Sequence, residues 1–132
     1  MRKTKKKAWA WFSKYFRLKN SDSEGNVVCY TCDKKMFWKE SQSGHLLDGR
    51  CNAILFLEEA IKIQCSGCNV FKSGNKELYI PKFIDEVGRE KYDEICRIKN
   101  TTVKYSKRDL EEMRDNWKME AKRLAKEKGL TI

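Results

Sequence analysis

The chain of 132 residues contains one histidine, one proline and no long apolar run. Each scarcity excludes something. A bilayer-crossing helix needs about 20 consecutive apolar residues, and no such stretch is present. The charged N-terminus leads into no apolar stretch, so no secretory signal is expected there. With His45 as the only imidazole, any metal site must draw its other ligands from elsewhere. Acid carboxylates are missing altogether from residues 1–19, where eight Lys and Arg stand unopposed. There is no internal repeat and no low-complexity linker. A chain of this length is expected to form one domain with helical extensions.

Against these absences stand six cysteines, four of them in two Cys-x-x-Cys pairs: Cys29 with Cys32, and Cys65 with Cys68. Each pair places two thiolates on one tight turn, the bite that tetrahedral zinc accepts, and two pairs close the coordination sphere. The paired spacing, the Lys-rich composition and the absent signal favour a reducing cytoplasm and metal over disulfides. Hydrophobic residues make up 40% of the chain and charged residues 36%, enough for a modest core that gains from a staple. Cys51 and Cys96 have no such partner and are expected to be free, half-buried thiols.

The net charge of +10 is uneven. Residues 20–100 carry twelve bases and thirteen acids, and residues 101–132 carry nine bases and six acids. Positive charge therefore gathers at the two ends. A basic arm beside a nearly neutral core is the electrostatic footprint of a nucleic-acid binder. Lys3, Lys5, Lys6, Lys7, Lys14 and Arg17 are the expected phosphate contacts on that arm. A solubilising tail would have the same composition.

Periodicity divides the chain into three parts. Residues 1–20 form a basic aromatic segment, with a helix over 7–19 that sets Trp9, Phe12 and Phe16 on one face. These aromatics are expected to cap the core rather than to stack on bases. Residues 21–100 hold both cysteine pairs. There Val27 to Tyr30 and Lys35 to Lys39 read as a hairpin around the first cysteine turn. Ser41 to Asn52 reads as a polar loop carrying His45, and Ala60 to Gln64 as an apolar lead into the second turn. Pro81 suits the first turn of a helix ending near Gly88, with a further helix over Arg89 to Lys99. In residues 101–132, Ser106 and Asp109 form a capping box for a helix from Lys107 to Lys128 with a Leu110, Met113, Trp117, Ala121, Leu124 stripe, ended by Gly129.

The combination of Gly44-His45, Phe56, Gln64-Cys65-x-x-Cys68-Asn69, Ser73-Gly74-Asn75 and Tyr79, after an aromatic helix and Cys29-Tyr-Thr-Cys32, resembles the lambdoid phage NinG (Rap) recombination proteins. The resemblance covers about residues 7–99. It implies an α+β fold: a small zinc-stapled ββα-metal (HNH-like) core with N-terminal and C-terminal helices. It also implies a phage protein in the bacterial host cytoplasm that cuts branched DNA such as Holliday junctions and displacement loops. Cys68-Asn69-x-x-Lys72 resembles the end of the broader HNH motif, where His or Asn binds the catalytic divalent ion.

Phosphodiester hydrolysis needs a base for the attacking water and a cation at the scissile phosphate. His45 suits the base, since imidazole titrates near pH 6.5. Asn69 offers a carboxamide oxygen to Mg²⁺ or Mn²⁺, ions that take oxygen ligands. Arg50 and Lys72 are placed to hold flanking phosphates. The sequence departs from the HNH pattern at two points. Gly44 stands where an acidic ligand usually precedes the histidine, so Asp48 or Glu40 is expected to replace it. Ala60 stands where an Asn braces the histidine loop, so Glu59 or Asn52 is expected to substitute. The alternative is a non-catalytic zinc DNA-binding accessory protein of recombination or transcription. A junction offers two strands for symmetric cutting, which a homodimer would suit.

Overall fold

The computed structural model describes residues Met1–Ile132. Its elements run α1 (Arg2–Lys19), β1 (Asn26–Val28), β2 (Lys35–Phe37), β3 (Gln42–His45), α2 (Asn52–Leu55), β4 (Ile61–Gln64), α3 (Lys76–Val87), α4 (Arg89–Lys99) and α5 (Lys107–Lys128). The fold is α+β, with two separate antiparallel hairpins. β1 pairs with β2 through Val27 opposite Met36, and β3 pairs with β4 through Gln42 opposite Gln64 and His45 opposite Ile61.

α1 begins at Arg2, five residues before the expected start. Its first turn holds no acid and several lysines, a poor match to the positive end of the helix dipole. Packing therefore has to stabilise it. Ala8, Phe12 and Phe16 are buried, and Phe12 meets Trp117 of α5 edge-on at 5.1 Å between ring centroids. Opposite them α5 presents Ala121 and Ala125, both buried, whose small side chains let the two helices approach closely. Lys128 at the end of α5 donates to the carbonyls of Leu18 (2.6 Å) and Ser21 (2.5 Å), tying the end of α1 to the neighbouring helix. The aromatic face of α1 thus belongs to the core, as its periodicity predicts.

One apolar cluster joins Phe12, Phe16 and Leu18 of α1, Val27 and Met36 of the first hairpin, Trp38, Ile61 and Ile63, Cys29, Cys65 and Cys68, and Ala121 and Ala125 of α5. The charge boundaries near residues 20 and 100 are therefore not packing boundaries. A second, smaller cluster of Leu46, Ala60, Tyr79, Phe83 and Ile95 holds α3 and α4 against the other side of the β3–β4 hairpin.

Three local expectations are corrected. Ser41 to Asn52 is not wholly a loop: Gln42–His45 is a strand, although it carries only polar and glycine side chains. Pairing with the apolar β4 overrides its weak strand propensity. The strand predicted over Lys35 to Lys39 stops at Phe37 and passes into a one-turn 3-10 helix, Trp38–Glu40. Pro81 lies inside α3, not in its first turn, because that helix already starts at Lys76. The expected ends at Gly88 and Gly129, the helix over 89–99 and the Ser106–Asp109 capping box are all present. In the box, Asp109 N–H donates to Ser106 Oγ at 3.0 Å and Ser106 N–H to Asp109 Oδ2 at 2.9 Å.

Candidate functional site

The two Cys-x-x-Cys turns meet. The Sγ atoms of Cys29, Cys32, Cys65 and Cys68 all lie within 4.8 Å of one another. Tetrahedral zinc with bonds of about 2.3 Å sets its sulfurs about 3.8 Å apart. The 3.6 Å between Cys32 and Cys65 is close to that spacing. Donors point at the sulfurs as they do around a metal: Cys68 N–H to Cys65 Sγ at 3.4 Å, and Asn75 Nδ2 to Cys68 Sγ at 3.5 Å. Burial pushes the Cys29 thiol up, but the Thr31 hydroxyl and neighbouring backbone amides outweigh it and bring the thiol down to about 6. Four thiol ligands, one ready to ionise at neutral pH, fit a structural zinc. Cys51 and Cys96 are half-buried and free, as expected.

The cluster sits behind a second feature. Residues after Cys65 form a π-helical turn, Gly67–Phe71, in which Lys72 N–H reaches back five residues to Gly67 O at 3.0 Å. Asn69 lies on this turn. Its Nδ2 donates to Gln42 Oε1 at 2.6 Å, which fixes the carboxamide and leaves Oδ1 as a free acceptor. Ser73, Gly74 and Asn75 then turn the chain through three successive left-handed conformations (φ 49°, 92° and 49°) into α3. Gly74 O receives Gln64 Nε2 at 2.8 Å, and the same amide donates to Thr31 Oγ1 at 3.1 Å. Gln64 is fully buried, so its side chain ties both cysteine turns to the Ser-Gly-Asn turn from inside.

His45 closes β3. Its Nε2 lies 3.0 Å from Leu55 O, so the nitrogen must carry the proton and donate. Nδ1 is then an unprotonated acceptor. Trp9 of α1 stacks on the imidazole with centroids 5.0 Å apart, and the Arg50 guanidinium lies over the same indole at 4.9 Å. Burial, with the charges of Arg50 and Lys76 adding to it, holds the His45 pKa below its usual value. The ring is neutral at pH 7. Leu46 N–H donates to Ala60 O at 2.9 Å, so the bracing expected of an Asn at that position comes from the backbone of Ala60 instead. Neither proposed substitute takes over. Glu59 pairs with Lys91 at 2.7 Å, and Asn52 is bound to Lys5 and to Val103 O.

His45, Asp48, Arg50 and Asn69 line one cleft of about 360 Å³, together with Ser43, Ser73 and Lys76. The cleft is polar, with Leu47 its one hydrophobic lining residue. Of the two carboxylates suggested by the sequence, Asp48 is at the cleft and Glu40 is not. Asp48 is 82% exposed and lies 3.7 Å from Lys76 Nζ. Lys76 escaped the sequence reading. It donates to His45 O and follows directly on the Ser-Gly-Asn turn, whose glycine marked a reversal of the chain at this point. Gly44 has a steric reason: a Cβ there would run into the buried Gln64 carboxamide. An acidic side chain beside His45 would therefore have to displace the buried Gln64 side chain.

The basic residues separate into groups. Lys3, Lys6 and Lys7 are exposed along the start of α1, and Lys14 lies over the Trp11 ring at 4.7 Å. Lys72 is exposed beside the π-helical turn. Lys5 is engaged with Asn52. Arg17 is an internal brace rather than a free cation: it donates to Trp38 O at 3.3 Å and Ser41 O at 3.2 Å, and burial lowers its pKa. No helix is long and apolar enough to cross a membrane.

No curated protein matches the chain, and no solved structure matches it. A protein family does: that described as Bacteriophage Lambda NinG protein matches residues 1–127, well beyond the stretch that carries the recognisable motifs. The chain is a member of the phage lambda NinG family, with an α+β fold and a four-cysteine cluster that could hold zinc.

Proposed function

We propose that this protein is a divalent-metal-dependent endonuclease of the ββα-metal type, acting on branched DNA of recombination such as Holliday junctions or displacement loops. In this reading the β3–β4 hairpin and the Asn69 turn form the catalytic unit, and zinc at the four cysteines holds it together. The observation that carries it is the pairing of two pre-oriented acceptors in one cleft. His45 has Nε2 committed to Leu55 O and Nδ1 free, and Asn69 has Nδ2 committed to Gln42 and Oδ1 free.

The chemistry follows from those atoms. His45 Nδ1 takes the proton of the attacking water, whose oxygen forms the new bond to phosphorus. The bond from phosphorus to the bridging oxygen breaks, and that oxygen leaves with the electron pair. Stacking on Trp9 and the bond to Leu55 keep the imidazole from turning away. Arg50 and Lys76 bring positive charge to the non-bridging oxygens. A bound Mg²⁺ or Mn²⁺ would supply further neutralisation at the phosphate and the leaving oxygen. Asn69 Oδ1 and the Asp48 carboxylate are the oxygen donors available to hold it.

A binding-only role, as an accessory zinc protein, has one observation in its favour. Asp48 is the sole carboxylate at the cleft, and it is shared with Lys76. Zinc-loaded protein incubated with a four-way junction, a linear duplex and a single strand, with and without Mg²⁺ or Mn²⁺, separates the two. The nuclease reading expects metal-dependent nicks in the junction. Tight binding with no cut under either ion would leave the accessory role.

A further inference from the structure

The π-helical turn that aims Asn69 into the cleft also carries an exposed aromatic side chain. Phe71 is 84% exposed, more than any other large hydrophobic residue of the chain, and Val70 beside it is 55% exposed. Among the other phenylalanines Phe12, Phe16 and Phe83 are buried, and the most exposed, Phe37, shows 38%. A single exposed apolar residue is ordinary, but Phe71 and Val70 form a contiguous apolar edge on the turn that also carries Asn69 to the cleft.

The ring is not on a loose loop. Four backbone hydrogen bonds brace the turn: Lys72 to Gly67, Ser73 to Val70, Gly74 to Cys68 and Asn75 to Lys72. Cys65 and Cys68 anchor its start in the four-sulfur cluster. Phe71 therefore projects from a rigid edge two residues beyond Asn69. Positive charge lies nearby: the exposed Lys72 follows it in the chain, and Lys76 and Arg50 line the cleft that Asn69, Ser73 and Gly74 of the same segment enter. An aromatic face set among cations beside a polar cleft matches a nucleic acid, with rings for stacking and phosphates for the cations. A second copy of the chain is a poor fit. A stable interface buries about 800 Å² per partner, whereas a phenylalanine offers about 150–250 Å² and Val70 adds little.

We infer that Phe71 is a wedge that stacks on an unpaired or unstacked base at a DNA branch point and so selects branched over continuous duplex. The inference rests on the DNA-directed reading of the cleft. A continuous duplex hides its base faces, so Phe71 finds a partner only where a branch point weakens the stack enough for a base to be drawn out of it. Selection for branches then lies outside the reacting groups, in a residue that adds affinity only for the right substrate.

The test uses zinc-loaded full-length protein without Mg²⁺ or Mn²⁺, so that binding is read apart from cutting. Junction and duplex affinities are measured for the wild type, Phe71→Ala and Phe71→Trp, with 2-aminopurine at the branch point. The wild type is expected to raise the 2-aminopurine fluorescence as the base leaves its stack. Phe71→Ala should lose that rise and weaken junction binding about 5- to 150-fold, the range of one base–aromatic stack, with duplex binding unchanged. Phe71→Trp should restore both. Because the ring is exposed, the variants should keep their zinc and their melting temperature. Equal junction binding by Phe71→Ala and the wild type would overturn the inference, as would an equal loss on junction and duplex. A dimer that becomes monomeric in Phe71→Ala would overturn it too, by assigning the ring to a second copy. A wild type that binds and unstacks the branch but never cuts with added metal leaves the wedge standing and removes the nuclease. A wild type that binds no DNA removes both.

Discussion

The four-cysteine cluster and the His45–Asn69 cleft meet on one short turn, where Cys68 and Asn69 are consecutive, yet they are built in opposite ways. At the cluster, three of the four cysteines are buried, and amide donors face the sulfurs. The cleft is open and polar, with one hydrophobic lining residue, and each key side chain spends one polar atom on the scaffold and keeps another free. A closed site holds its metal for stability, and an open one keeps a position for a reactant. The two are coupled through Gln64, whose buried amide bonds to Thr31 in the first cysteine turn and to Gly74 in the turn before α3. Damage to the cluster should therefore abolish both sites, whereas damage to the cleft should spare the cluster.

The largest expected effect comes from Cys65→Ser. Structural zinc contributes about 10–16 kcal/mol of binding energy in small zinc domains, more than the net stability of most chains this size. The variant should retain less than one zinc per chain by elemental analysis and lose its cooperative melt. Keeping both would mean that the cluster is not a staple.

Gly44→Ala tests the link between the two regions. The added methyl meets the Gln64 carboxamide, and overpacking of this kind costs about 1–3 kcal/mol. A lower melting temperature with the zinc retained is expected. An unchanged melt would show that Gln64 is free to move aside.

A smaller effect is expected from replacing Lys3, Lys6 and Lys7 with Gln. These exposed side chains lie on α1 and do not line the cleft, and each phosphate contact contributes about 0.9 to the slope of log affinity against log salt. The slope should flatten by about 2–3, with duplex and junction weakened alike. An unchanged slope would shift the phosphate-binding face to other cations.

The smallest effect is on pH dependence. Burial holds the folded His45 pKa below its usual value. The unfolded chain, with an ordinary imidazole near pH 6.5, then takes up its proton first as pH falls. The stability associated with neutral His45 is full above about pH 6.5 and declines as pH falls through the folded pKa. The His45 ring signals in an NMR titration should move with a midpoint below 6.5. A midpoint above it would mean that a carboxylate, not burial, controls the ring.

How much of this was legible in the sequence divides along the same line. The cluster could be read directly, because two thiols three residues apart on a turn have few alternatives to a metal. The capping box at Ser106 and the aromatic face of α1 were equally plain, since both are local patterns of helical spacing. The cleft was only half visible. His45 and Asn69 could be named through the resemblance, but the strand that positions His45 reads Gln-Ser-Gly-His and carries no strand pattern of its own. Its pairing with β4 is a long-range contact that no local window contains. Gly44 looked like a missing acid, and its reason lies in Gln64, twenty residues on. Arg17 looked like a free cation, and only packing reveals the carbonyls of Trp38 and Ser41 that take its hydrogens. Pro81 misled because the three left-handed residues before Lys76 start α3 earlier than a proline-first helix would.

The central claim is that the closed site holds the fold and the open one does the chemistry. It is tested most directly by His45→Ala, with zinc content, junction binding and junction cleavage in Mg²⁺ or Mn²⁺ measured on one preparation beside the wild type. Loss of a general base costs about 10²–10⁴ in rate. Neutral His45 adds no charge for phosphates, so the account predicts cleavage down by that factor, with zinc retained and junction affinity unchanged. Wild-type cleavage that persists in His45→Ala would contradict it.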